Sequence, residues 1–206
     1  VTVDEILAAV WGDRLPTNAR HGLHALASTL RSALGPDLVE SRRGTYRLVV
    51  DPARVDAIRF RQLVKEADRE RPAEALQTLG RALALWRGQP LAGAPQTFAI
   101  QAVAAGLEEQ RMVALERRFE LELELGRSGD VIGELTELVR AYPVRERLRG
   151  QLMTALYQSG RQAEALGLYR EGRAILADEL GIEPSRELKE LEQAILRQDA
   201  ALMPRA

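Results

Sequence analysis

The chain has no cysteine among its 206 residues, which excludes disulfides and thiolate-held metals and is compatible with a reducing cytoplasm. It has only two histidines, His21 and His24, spaced i, i+3. No cysteine joins them, and no Asp or Glu lies beside them on the same helical face, so no metal site is expected. No apolar run approaches the roughly 18 residues of a membrane span, and no signal peptide is visible. Neither sign of charge dominates: 29 Lys and Arg face 30 Asp and Glu, a net of −1. Whole-chain charge therefore names no partner. Missing too are the phosphate-cradling G-x-x-x-x-G-K-[ST] loop, the G-x-S-x-G elbow and the H-E-x-x-H zinc pair. The acidic neighbours Glu108-Glu109 and Asp178-Glu179 lie on helical stretches, where adjacency in sequence does not converge two carboxylates on one substrate. No catalytic residue and no cofactor is expected.

What is present begins in the first fifty residues. Val3, Ile6, Leu7 and Val10 mark one face of a short helix, and Thr2 with Glu5 has the order of a capping box. Gly12 and Pro16 break it, and Thr17 can cap the next helix. In Thr17–Leu34, the residues Ala19, Leu23, Leu26, Leu30 and Leu34 form a stripe expected to be buried. Leu38–Ser41 and Thr45–Val50 read as short strands joined by Arg42-Arg43-Gly44. Helix, turn, longer helix and basic hairpin make a helix-turn-helix followed by a wing. Five arginines against Asp37 and Glu40 give Thr17–Val50 a net of +3, a small basic footprint on these elements.

Asp51-Pro52 marks a domain boundary, with residues 1–52 before it and 53–206 after it. The second part reads as helices near 55–70, 73–87, 97–125, 130–142, 145–159, 161–179 and 185–198. Gly126-Arg127 recurs as Gly160-Arg161, 34 residues later, the period of a tetratricopeptide (TPR) helix pair. Ala165 with Tyr169, and Ala75 with Leu79 and Ala82, match the small-then-bulky positions of such a pair. Val131 and Gly172 stand where alanine is expected. An ordinary helical bundle is the alternative. The expected fold is mainly α: a partial winged helix-turn-helix with a β-hairpin wing, then a TPR-like α-helical domain.

Helical spacing turns His21, Ala25, Ser28 and Ser32 away from the leucine stripe, with His24, Thr29 and Arg31 on the flanks. In a winged helix that face meets base edges, which makes His21, His24, Ala25, Ser28 and Thr29 base-edge candidates. Arg20, Arg31, Arg42, Arg43 and Arg47 suit phosphates. Trp11 and Trp86 follow apolar runs at helix ends and read as core anchors.

These residues also carry a resemblance. The run from Ile6 and Leu7 through Val10-Trp11-Gly12-Asp13 to Pro16, then Asn18-Ala19-Arg20, then Ser28, Leu30-Arg31 and Ala33-Leu34-Gly35, is similar to the winged-helix domain of the Streptomyces antibiotic regulatory protein (SARP) family. Gly44-Thr45-Tyr46-Arg47-Leu48 matches its wing except at Thr45, and Thr29 stands where the family often has a cation. Ala84–Gly88, Gln151–Tyr157, Ser159–Gln162 and Leu180–Pro184 resemble its bacterial transcriptional activator domain. Against the family's pattern, the N-terminal strands and first helix of the winged-helix domain are missing before Val1. The resemblance implies a cytoplasmic activator that binds promoter direct repeats in double-stranded DNA, in head-to-tail pairs, and recruits RNA polymerase. The alternative function is a helical-repeat regulatory module whose winged helix has lost DNA contact.

Overall fold

The computed structural model describes residues 1–204. Among these residues nine α-helices and one hairpin follow in the order α1 (Val3–Trp11), α2 (Ala19–Leu34), β1 (Val39–Arg42), β2 (Thr45–Leu48), α3 (Asp56–Ala67), α4 (Pro72–Leu83), α5 (Phe98–Glu124), α6 (Ser128–Ala141), α7 (Glu146–Gln158), α8 (Gln162–Leu180) and α9 (Arg186–Leu196). Every helix expected from the periodicity is there. The chain divides into two compact units, the first made of Val1–Lys65 with Arg81–Met112, the second of Glu66–Gly80 with the chain from Val113 onward.

In the first unit, α1 opens on the expected capping box: the Glu5 backbone N–H donates to Thr2 Oγ1 at 3.2 Å, and the Thr2 N–H donates to Glu5 Oε2 at 2.7 Å. These bonds hold the Glu5 carboxyl below its ordinary pKa, the Thr2 backbone N–H being the largest cause. Thr17 does not cap α2. The cap position falls on Asn18, whose side chain makes no capping bond.

Val3 and Leu7 of α1 pack with Ala19, Leu23 and Ala27 of α2 and with Val39 and Tyr46 of the hairpin, and Trp11 lies against this cluster. The expected leucine stripe is half right. Leu23 is buried, but Leu26, Leu30 and Leu34 are 46%, 49% and 52% exposed. The reason is cover: Val3, Leu7, Val39 and Tyr46 cluster with Ala19, Leu23 and Ala27, and Leu26, Leu30 and Leu34 lie outside that cluster. Ala27 takes the place of Leu26 as the third buried position of α2.

The hairpin is closed by Arg43 and Gly44 with φ of 46° and 78°, a two-residue turn of type I′ that suits the right-handed twist of paired strands. Val39 pairs with Leu48, Glu40 with Arg47, Ser41 with Tyr46 and Arg42 with Thr45. Residues 1 and 2 extend this sheet: Tyr46 N–H donates to the Val1 carbonyl at 2.8 Å, and Thr2 bridges to Thr45. Further along the same unit, Phe60 meets Trp86 edge-on with centroids 5.5 Å apart, and the Arg111 guanidinium sits 5.5 Å from the Trp86 ring centre.

In the second unit α7 packs between α6 and α8. The repeated Gly-Arg pair marks two equivalent helix ends. Gly126 and Gly160 have φ of 74° and 76°, and the next N–H reaches back five residues each time, Arg127 to Glu122 O and Arg161 to Leu156 O. That left-handed glycine with a six-to-one bond is a Schellman ending. Ala165 is fully buried, as its expected place at a close helix crossing requires. Gly172 is not a degenerate alanine position. A Cβ there would lie 2.3 Å from Arg149 Cδ. The buried Arg149 side chain runs across Gly172 and donates to the carbonyls of Leu168 and Pro143 at 3.0 and 3.1 Å. Desolvation lowers the pKa of that guanidinium.

Candidate nucleic-acid interface

The candidate surface consists of the outer face of α2 and the adjoining hairpin. His21, His24, Ala25, Ser28, Thr29 and Ser32 are all exposed on α2, on the side away from Leu23. Two hydroxyls are already used as donors: Thr29 Oγ1 donates to the Ala25 carbonyl and Ser32 Oγ to the Ser28 carbonyl, both at 3.1 Å. Such back-bonding directs the hydroxyl hydrogen inward and leaves the oxygen lone pairs facing out. In this state the Thr29 and Ser32 hydroxyls are acceptors, a match for the amino groups of adenine and cytosine in a major groove.

Two side chains fasten the hairpin to α2. Arg31 is half-buried, its Nε donating to the Val39 carbonyl at 2.8 Å and its Nη2 to Ser41 Oγ at 3.1 Å. His24 Nδ1 and the Tyr46 hydroxyl lie 2.8 Å apart. Together they fix the angle between helix and wing, which decides whether both can reach one duplex. Helical angle alone placed His24 and Arg31 on the flanks of the outer face. Their bonds with the wing carried no sequence signal, because the partners lie 22, 8 and 10 residues away with no regular spacing.

The other arginines divide in two. Arg20 pairs with Asp4 at 2.8 Å, both side chains well exposed. Arg42, Arg43 and Arg47 are exposed on the hairpin and make no ion pair among the described residues. Arg43 stands at the turn itself, with a positive φ. Asp4 and Ser41, both outside the sequence-derived site, belong to it through these contacts.

A short helix, a longer helix with a polar outer face and a basic hairpin clamped beside it define the winged-helix class of regulators, here followed by paired helices. The model of the bacterial transcriptional activator domain matches residues 55–196. The chain is 41% identical to the regulatory protein AfsR of Streptomyces griseus over 205 residues, 98% of this chain and 21% of AfsR. It is 33% identical to the regulatory protein DnrI of Streptomyces peucetius, covering 98% of this chain and 80% of DnrI. The solved structure of Mycobacterium tuberculosis EmbR in complex with a low-affinity phosphopeptide superposes with a TM-score of 0.90 at 35% identity, over 100% of this chain and 56% of EmbR. The chain belongs to the bacterial transcriptional activator domain family of SARP-type transcriptional regulators. It spans about a fifth of the length of AfsR. Among the described residues, no helix is long and apolar enough to cross a membrane.

Proposed function

We propose that this chain is the DNA-binding and activating part of a transcriptional activator. In this reading α2 enters the major groove of a promoter direct repeat and the hairpin lies along the adjacent backbone. His21, Ala25, Ser28 and Thr29 then read base edges, with His24 beside them and tied to Tyr46. Arg42, Arg43 and Arg47 hold phosphates. Arg20 joins them by exchanging Asp4 for a phosphate, and Arg31 acts by positioning the wing. The observation that carries this reading is the set of three exposed wing arginines that make no ion pair among the described residues, Arg47 standing across the hairpin from Glu40, held beside a polar helix face. The functional division lies near residues 52–53. The winged part serves DNA and the helical part serves RNA polymerase, with two copies head to tail on the repeats, in the cytoplasm where bacterial promoters lie.

A second reading has specific support. Arg20 and Arg31 are both engaged within the protein, which leaves few free cations for a duplex. On that reading the winged helix is a regulatory or dimerisation module that no longer touches DNA. Anisotropy titration with a labelled promoter duplex at two salt concentrations separates the two. The activator reading expects affinity that falls steeply with salt. A flat salt response, or equal weak binding to any polyanion, supports the second.

A further inference from the structure

The second unit contains a cavity of about 1010 Å³ between the C-terminal part of α5, α7 and α9, closed on one side by residues 201–204. We propose that this cavity is a binding groove for a cationic, aliphatic polypeptide segment of a partner protein. The proposal deepens the protein-facing half of the reading above and needs no DNA contact.

Three independent observations point to that ligand. The first is apolar lining. Leu123 and Leu188 form buried floor, Leu191 is half-buried, and Met203 is 47% exposed at the rim. Aliphatic side chains of a ligand would bury against them. The second is charge. Glu120, Glu124, Glu146 and Glu187 line the cavity against Arg147 alone. Glu120 is paired with Arg117 and Arg147, and Glu146 accepts the Ser185 N–H. Glu124 and Glu187 are exposed and meet no cation among the described residues. An arginine or lysine of the ligand completes them.

The third observation is the polar chemistry of the walls. Gln158 Nε2 donates to the Leu202 carbonyl at 2.8 Å, so a glutamine of the groove already holds a peptide carbonyl. Pro204 lies 3.5 Å from where a Gly126 Cβ would stand, which seats the segment against the helix end. The Oε1 atoms of Gln151 and Gln158 are buried without a donor. Both amide nitrogens are already held, Gln151 by the Glu116 carbonyl and Gln158 by the Leu202 carbonyl, so these oxygens are fixed acceptors, and a backbone N–H of an extended segment is the donor that suits them. A nucleic acid is excluded by the sign of the rim, and a small apolar ligand leaves the carboxylates and the amides unmatched.

The test uses the whole chain and a fluorescein-labelled peptide of about twelve residues containing leucine, proline and arginine, with a twin bearing glutamate in place of arginine. Anisotropy should show saturable one-to-one binding of the arginine peptide and none of the twin. Glu124→Gln with Glu187→Gln should weaken it about tenfold. Asp178→Asn with Glu179→Gln, the same charge change outside the groove, should leave it unaltered. Met203→Asp adds a negative charge yet should also weaken binding, because it removes apolar wall. All these positions are exposed, and circular dichroism verifies folding. Equal effects of the two charge pairs, tighter binding by Met203→Asp, or no saturable binding would each overturn the proposal. None of these results bears on the promoter titration.

Discussion

Gly172 and Arg149 impose the tightest steric condition in the helical part. Any side chain at position 172 would collide with the side chain of Arg149, a residue that is 1% exposed and whose guanidinium holds two carbonyls. Gly172→Ala should therefore cost about 1–3 kcal/mol by overpacking, measured by urea unfolding, although alanine is the better helix former. An unchanged midpoint would mean that Arg149 has another way to lie. On the wing, Arg42→Ala with Arg43→Ala should weaken duplex binding and reduce the salt slope by about two, with the thermal midpoint unchanged. Unaltered affinity would remove the wing from the mechanism. The residue identities on the outer face of α2 were legible in the sequence because helical angle depends only on spacing. The tethering of Arg20 and Arg31 was not, since ion pairs and carbonyl contacts across elements follow from tertiary approach.

Among the elements, the hairpin depends on a clamp rather than on its own length, since two strands of four residues are marginal alone. Arg31→Ala should loosen it, raising amide exchange in Val39–Leu48. It should also lower DNA affinity while leaving the salt slope nearly intact, because a positioning residue releases no counterions. A fall in slope would make Arg31 a phosphate contact after all. Helix α1 carries a pH signature. The Glu5 carboxyl has a lower pKa folded than unfolded, so its stabilising effect is complete above the unfolded value and is lost as pH falls through the folded one. The protection factors of the first turn of α1, each rate compared with the intrinsic rate at the same pH, should fall on acidification, and Glu5→Gln should flatten that fall. Periodicity located the helices and the turn residues located the hairpin. Periodicity could not show where the stripe on α2 runs out of cover, because it names a face and not what lies against it. Leu30 and Leu34 have the same angular position as Leu23 and a different fate.

For the molecule as a whole, a net charge of −1 predicts no general attraction to DNA. Binding must come from a local patch, and the three wing arginines with Arg20 set its size. The slope of log affinity against log salt should be about −3.6 per bound copy. A slope near −8 would require a second cationic surface. The contrast in charge between the basic wing and the mixed-charge helices was readable from composition. The groove was not, because its lining comes from α5, α7, α9 and the 201–204 segment, which no local pattern groups. The Gly160 turn has a further consequence, in time rather than in space. It reverses the chain within a few residues, so α8 meets α7 almost as soon as both exist, at little loop-closure entropy. The sheet extension is the opposite case, because residues 1 and 2 must wait for Thr45 and Tyr46 to be in place. On refolding, the helical hairpin of α7 and α8 should therefore form before the platform that presents the wing.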